Sequence, residues 1–126
     1  MSLTDVTLCG KTLCSPVIAA SGTFGFGGEY AGIVDMKKLG GISGKGLMLE
    51  GKYGNEGERL WETPAGLINS IGLQNPGVRH FIEYELPGMK KLGPAVLANL
   101  GGSTIETYEE GARLLVYAYE RGVRFL

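Results

Sequence analysis

A glycine-rich loop between residues 62 and 77 carries the side chains best suited to bind a small polar molecule. Gly66 and Gly72 allow the main chain to approach a ligand closely. Asn69 and Gln74 offer amide donors and acceptors that can pair with carbonyl groups and ring nitrogens. The alternative is a plain connection before a helix, which the Asn-Pro-Gly sequence at the end of the loop would support by itself.

Three further polar residues, Ser21, Lys45 and Asn99, each lie at or just after the end of a short apolar run. If those runs are parallel strands, their carboxyl ends meet at one edge, where barrel enzymes place their active sites. The pattern then predicts one site that combines a hydroxyl, an ammonium and an amide group. Strands commonly end in polar residues, so the alternative is coincidence.

Lys45 stands out because Gly44 and Gly46 flank it. The glycines would let a flat ligand approach the backbone, and the ammonium group would suit an anion. The alternative is a solvated turn residue, which is what most lysines are.

The elements that position these residues are short apolar runs bounded by glycine, a pattern typical of buried strands. The three candidates are Val17–Ala20, Leu39–Ser43 and Ala95–Ala98. Before them, residues 6–8 and 12–13 favour a β-hairpin with Gly10 and Lys11 as its turn.

Helices are predicted at residues 29–38, in a segment that begins at Pro76, and from Ser103 onward. The Ser103 hydroxyl can cap the last helix, and Glu106 would complete a capping box. Gly122 is expected to end it, and residues 123–126 to begin another strand. The stripe predicted to be buried consists of Ile105, Tyr108, Ala112, Leu115, Val116 and Tyr119.

Strands that alternate with helices predict a parallel sheet built from βα units. A doubly wound dinucleotide fold would carry G-x-G-x-x-G directly after its first strand, but Gly25-Phe26-Gly27 lacks the third glycine. The remaining architecture is a (β/α)8 barrel, which takes about 250 residues. Residues 1–126 are therefore interpreted as a single partial domain: a small β-hairpin and the N-terminal part of a TIM barrel.

The composition excludes several functional classes. The chain has 12 basic and 13 acidic residues, so neither nucleic acid nor a membrane is expected as a partner. It has no stretch of about 20 apolar residues and no signal-peptide pattern, so a cytoplasmic location is expected. Cys9 and Cys14 are expected to be reduced, His80 to lie on a helix surface, and no metal site is predicted.

The order and spacing of four segments resemble the catalytic subunit of NAD-linked (class 1B) dihydroorotate dehydrogenase. These segments are Ala20–Gly27, Gly44–Gly46, Asn69–Gly77 and Ala98-Asn99. The chain departs from the family at Tyr53–Arg59, where the family usually has a Gly-Asn-Pro-x-Pro-Arg sequence.

The resemblance implies which residues bind the ligands. Ser21, Lys45, Gly46 and Asn99 match positions that bind FMN. The residues that match the substrate site for dihydroorotate or orotate are Lys45, Asn69, Ser70, Ile71, Gly72 and Leu73.

The resemblance also implies an activity, the oxidation of dihydroorotate to orotate in pyrimidine biosynthesis, with hydride transfer to flavin N5. The cysteine base of the family follows the fourth strand and is expected beyond residue 126, so the chain alone is expected to be inactive. Cys9 and Cys14 precede the first strand of the predicted barrel and are not expected to replace that base. The implied partner is an electron-transfer subunit with FAD and an iron–sulfur cluster.

Two rival interpretations stay open. The chain could be a non-catalytic barrel remnant or interaction fragment, or part of another FMN barrel oxidoreductase that acts on a different carbonyl-bearing ring. In every case three or four strands without closure leave unpaired edges, so a homo-oligomer or poor solubility is expected.

Overall fold

The computed structural model describes residues 3–122 and 125–126. Its strands are β1 Val6–Leu8, β2 Lys11–Leu13, β3 Ile18–Ala19, β4 Gly41–Leu47, β5 Glu50–Lys52, β6 Leu60–Thr63, β7 Gly66–Asn69, β8 Asn75–Gly77 and β9 Ala95–Leu100. Its α-helices are α1 Val78–His80, α2 Leu86–Leu92 and α3 Ile105–Glu120. The mixed α/β class predicted from the sequence is confirmed.

The chain opens with an antiparallel hairpin in which Val6 of β1 pairs with Leu13 of β2. Its turn residues are Cys9 and Gly10, with φ of 48° and 75°. A two-residue turn of type I′ requires a positive φ at both positions. The turn therefore lies one residue before the predicted position, because Lys11 already pairs with Leu8 in the sheet.

The central sheet is parallel, with β4 between β3 and β9. Leu126 extends it: its amide donates to the Val96 carbonyl (2.7 Å), and its carbonyl accepts from the Ala98 amide (2.6 Å). This is the hydrogen-bond pattern of parallel pairing. Val123 and Arg124, the first half of the predicted fourth strand, lie outside the described residues.

A polar excursion leaves the sheet after β4 and returns before α1. It contains two antiparallel pairs, β5 with β8 and β6 with β7, which the sequence analysis did not predict. Every residue of β7 is exposed, and only Thr63 of β6 is partly covered. The β6–β7 hairpin therefore stands away from the core.

The helix predicted at residues 29–38 does not form as one helix. The structure has two single 3₁₀ turns, Gly28–Tyr30 and Met36–Lys38. Between them Asp35 is extended, and its side chain accepts a hydrogen bond from the Lys37 amide. Aspartate side chains compete with the backbone in this way, which ends one turn and starts the next.

The helical segment after Pro76 is continuous but changes its winding. A π-helical stretch, Phe81–Glu85, lies between α1 and α2. Pro87 follows it in the first turn of α2. Because proline has no amide hydrogen, it cannot make the regular bond to residue 83, and this loss favours the wider π turn before it.

Helix α3 begins one residue later than predicted. Its N-cap is Thr104, whose hydroxyl accepts from the Thr107 amide (3.3 Å), while the Thr107 hydroxyl accepts from the Thr104 amide (3.0 Å). The predicted pair of Ser103 and Glu106 does not form this box. Threonine at the third helical position takes the reciprocal role.

The buried face of α3 also differs from the predicted stripe. Gly111, Leu115 and Ala118 are buried, whereas Ile105 is 81% exposed and the stripe residues Tyr108, Val116 and Tyr119 are also exposed. Leu115 is the only fully buried member of the predicted stripe, and Ala112 is partly buried. The reason is close packing at Gly111, where a Cβ atom would lie 2.8 Å from Leu100 Cδ1.

The core joins the sheet to the helical segment 78–92. Ile42 and Leu47 of β4 form one cluster with Phe81, Leu86 and Met89, all of them at most 1% exposed. This cluster holds β4, and thus the residues at its carboxyl end, against the helices. No helix in the described part of the chain is both long and apolar enough to cross a membrane.

Candidate functional site

Ser21 and Asn99 meet at the carboxyl edge of the parallel sheet, as the strand-end pattern predicts. The Ser21 hydroxyl donates to the Gly44 carbonyl (2.7 Å) and accepts from Asn99 Nδ2 (2.9 Å). These two bonds connect the segment after β3, the middle of β4 and the end of β9, although Ser21 and Asn99 are 78 positions apart in the sequence. We call Ser21, Gly44 and Asn99 the sheet junction.

Lys45 lies inside β4 rather than at or just past its end. Ser43 pairs with Leu97 and Gly46 with Asn99, so three steps along β4 match two along β9. This one-residue bulge falls at Lys45, and β4 resumes as far as Leu47. Bulges of this kind redirect a side chain and are frequent beside active sites.

Lys45 contributes to the wall of a cavity of about 630 Å³. Lys52 and Glu85 also reach it, so two ammonium groups face one carboxylate. The surplus of positive charge favours an anionic occupant. The other lining residues are Phe26, Gly51, Tyr53, Gln74, Asn75 and Pro76.

The glycine-rich loop after β3 is fixed by aromatic contacts. Phe24 stacks on Tyr30 with ring centroids 4.4 Å apart, and Phe26 contacts the buried Phe81 ring at 5.8 Å. Gly22, at the start of this loop, has φ of 79° and open space where a side chain would point. The backbone next to Ser21 is therefore accessible to a ligand.

Residues 69–73, which we call the substrate loop after the role that the resemblance implies, are held by residues 55 and 59 of the excursion. Asn55 Nδ2 donates to the Ser70 carbonyl (3.2 Å) and hydroxyl (2.8 Å), and the Asn55 backbone amide donates to the Ile71 carbonyl (3.1 Å). The Ser70 amide donates to the Arg59 carbonyl (2.8 Å). Residues 53–59, where the sequence departs from the family, thus still support this loop.

The end of the substrate loop lies beside Gly46, which pairs with Asn99 of the sheet junction. A Cβ atom on Gly46 would lie 3.3 Å from Leu73 Cδ1 and 3.7 Å from Asn99 Nδ2. The structure therefore brings Leu73, Gly46, Asn99 and Ser21 together. Among the described residues no hydrogen bond joins Asn69 to Lys45, and Asn69 pairs with Leu60 on the exposed hairpin instead.

Three residues of this region were missed as functional candidates. Asn55 and Arg59 were identified only as part of the departure from the family sequence, and Asn75 was included in the glycine-rich loop without a role of its own. A usable signal existed for Asn75, because asparagine two residues before glycine is typical of a side-chain-stabilised turn.

The remaining titratable candidates lie outside this region. His80 is half exposed, with Nε2 3.6 Å from the Glu85 carboxylate and its ring against Tyr84. Cys14 Sγ lies by the Lys37 and Leu39 carbonyls, at the end of the sheet opposite Asn99, and both cysteines are free and exposed. Residues 3–122 and 125–126 contain no group of three potential metal ligands.

Comparisons with known proteins support the resemblance drawn from the motifs. A family model described as dihydroorotate dehydrogenase matches residues 3–121. Two proteins named "Dihydroorotate dehydrogenase B (NAD(+)), catalytic subunit" illustrate the likeness. The one from Thermoanaerobacter pseudethanolicus is 48% identical over 88% of this chain and 37% of its own length. The one from Thermodesulfovibrio yellowstonii is 44% identical over 98% of this chain and 42% of its own length.

Among solved structures, the chain is similar to a dihydroorotate dehydrogenase from Eimeria tenella crystallised in complex with ferulenol. The TM-score is 0.58 with 16% sequence identity, over 87% of this chain and 33% of that one. This likeness concerns the fold alone. The chain thus spans little more than a third of the curated relatives it matches, and the family model covers nearly all of it. The chain belongs to the dihydroorotate dehydrogenase family.

Proposed function

We propose that this chain supplies the FMN-binding and substrate-binding part of an NAD-linked dihydroorotate dehydrogenase. The observation that carries the proposal is that the substrate loop ends beside the sheet junction. Asn99 bonds to Ser21 and pairs with Gly46, and Leu73 lies next to Gly46. This proximity would place a substrate next to a cofactor.

The donor set at the junction fits a flavin. Ser21 and Asn99 provide a hydroxyl and an amide, and Gly46 pairs with Asn99 across β4 and β9. Lys45 provides a fixed positive charge, which would stabilise negative charge that develops on a bound ring. FMN, when bound, would supply the acceptor for the hydride.

The substrate loop offers amide and hydroxyl groups to a pyrimidine ring and its carboxylate. Asn69 and Ser70 supply these side chains. Paired polar groups of this kind discriminate well between similar rings, because a ligand that lacks one partner leaves a polar group unpaired. We assign the loop to dihydroorotate and orotate.

The proton removed from dihydroorotate needs a base, and neither of the two described cysteines lies at the site. Cys9 follows β1 in the opening hairpin, and Cys14 contacts carbonyl groups at the far end of the sheet. We therefore propose that the cysteine base belongs to another segment of a complete TIM barrel. We further propose a homo-oligomer that passes electrons to a subunit carrying FAD and an iron–sulfur cluster.

The proposal is tested on the complete translation product of the reading frame that encodes this chain. Anaerobic addition of dihydroorotate should bleach the visible absorbance of its FMN, and orotate should compete. A protein that takes up no FMN would support the remnant interpretation. A flavoprotein that dihydroorotate does not reduce and orotate does not inhibit would instead be another FMN oxidoreductase.

A further inference from the structure

Within residues 3–122 and 125–126, Asn75 is one of two buried polar residues, with only 6% of its surface exposed. Its Oδ1 atom accepts from the Met48 amide and from the Gly77 amide, both at 3.0 Å. Its Nδ2 atom donates to the Leu73 carbonyl at 2.8 Å. Both lone pairs of the amide oxygen and one of its two N–H donors are therefore used.

These bonds connect two parts of the proposed site. Met48 directly follows β4, the strand that carries Lys45 and Gly46. Leu73 ends the substrate loop and has φ of 56°, a left-handed conformation that is unfavourable for residues other than glycine. The Asn75 side chain thus fixes a strained residue relative to the end of β4.

We infer that Asn75 is a positioning residue that holds the substrate loop in its binding conformation against β4. This inference rests on the proposed function of the loop. Asn75 acts through Leu73, the last residue of the substrate loop. Loss of the Asn75 to Leu73 bond should therefore affect substrate more than cofactor.

The alternative is that Asn75 only stabilises the fold, because it also pairs with Lys52 across β5 and β8. Asn75→Asp separates the two roles. The carboxylate can still accept from the Met48 and Gly77 amides, but it places an oxygen where Nδ2 donated to the Leu73 carbonyl. Ser15→Ala is the control, since Ser15 is also buried and its hydroxyl accepts from the Val17 amide, two residues further along the chain.

The experiment compares orotate and FMN affinities of the complete translation product with either substitution. Asn75→Asp should weaken orotate about tenfold or more, the effect of losing one buried hydrogen bond and placing two acceptors together. FMN affinity should change less than about twofold, and Ser15→Ala should leave both affinities at the parent value. Orotate affinity unchanged by Asn75→Asp, or an equal loss for both ligands, would overturn the inference.

If the parent protein binds no orotate, the proposed function is refuted. Amide hydrogen exchange then still tests whether Asn75 holds the loop. In Asn75→Asp the amides of Ser70 and Asn55, which link the loop to the excursion, should exchange faster. The amides of β4 and β9 should keep their protection. Unchanged exchange at Ser70 and Asn55 would show that Asn75 does not hold the loop.

Discussion

The sheet junction and the β6–β7 hairpin are held by opposite means. The junction rests on a core in which Leu47 is fully buried, and its polar groups are joined across three strands. The hairpin leaves Leu67 of β7 65% exposed, and an isolated two-stranded ribbon is marginally stable at best. The proposed cofactor side of the site is therefore built into the fold, whereas the proposed substrate side depends on hydrogen bonds between loops.

The largest expected effect compares the same substitution in the two regions. Leu47→Ala should lower the free energy of unfolding by about 2 to 5 kcal/mol, because it leaves a cavity in the core. Leu67→Ala should change it by less than about 0.5 kcal/mol, since the side chain is mostly in solvent. Chemical denaturation measures both. A loss of unfolding free energy for Leu67→Ala as large as that for Leu47→Ala would show that another surface covers the hairpin.

Two glycines with similar backbone conformations sharpen the contrast. Gly72 has φ of 75°, and a Cβ atom there would lie 2.6 Å from the Asn55 backbone nitrogen. Gly22 has φ of 79° and open space. Gly72→Ala should cost about 2 to 4 kcal/mol from strain and overlap, against about 1 kcal/mol for Gly22→Ala. Equal thermal midpoints for the two variants would contradict the close packing at Gly72.

Removal of the Asn55 side chain tests whether the excursion supports the loop. Asn55→Ala loses the two bonds to Ser70, and in this exposed position the cost should be about 1 kcal/mol or less. Proteolysis should nevertheless become faster at residues 69–73, because local opening depends on local bonds. Thr104→Ala removes the α3 cap at a similar cost and should not affect cleavage there.

The smallest effect is a pH dependence in α3. The pKa of Glu106 lies below the ordinary glutamate value, because its carboxylate accepts hydrogen bonds from the Glu106 backbone amide and from the Thr104 side chain. A lowered pKa in the folded state stabilises the protein above the unfolded pKa, and this contribution disappears as the pH falls through the folded pKa. Glu106→Gln should slightly lower the thermal midpoint at neutral pH and flatten its fall in acid. Glu120→Gln, at the other end of α3, should raise the midpoint slightly at neutral pH, because it removes a negative charge from the carboxyl end of the helix. Equal shifts of the midpoint in the two variants would contradict the assignment.

The parts of the molecule predicted from sequence are those with a strong local pattern. The three short apolar runs form the parallel sheet, and Ser21 and Asn99 meet at its edge because strand ends align in parallel sheets. The site roles of Ser21, Lys45, Gly46, Asn99 and residues 69–73 stay predictions.

The errors have physical causes that single-sequence patterns do not contain. The stripe on α3 was wrong because Gly111 lets the helix approach Leu100, a tertiary contact that outweighs apolar spacing. Residues 29–38 favour helix locally, but the Asp35 side chain bonds to the backbone and divides the segment. Lys45 was placed at or just past the end of β4 because a bulge is not visible in the sequence.

The most direct test of the account is the effect of orotate on the visible spectrum of FMN in the complete translation product. If the substrate loop and the sheet junction form one site, orotate should perturb the flavin absorbance of the parent protein, and Leu73→Ala should weaken that response. A saturable orotate complex with an unchanged flavin spectrum would contradict the account, because it would place the two ligands in separate sites.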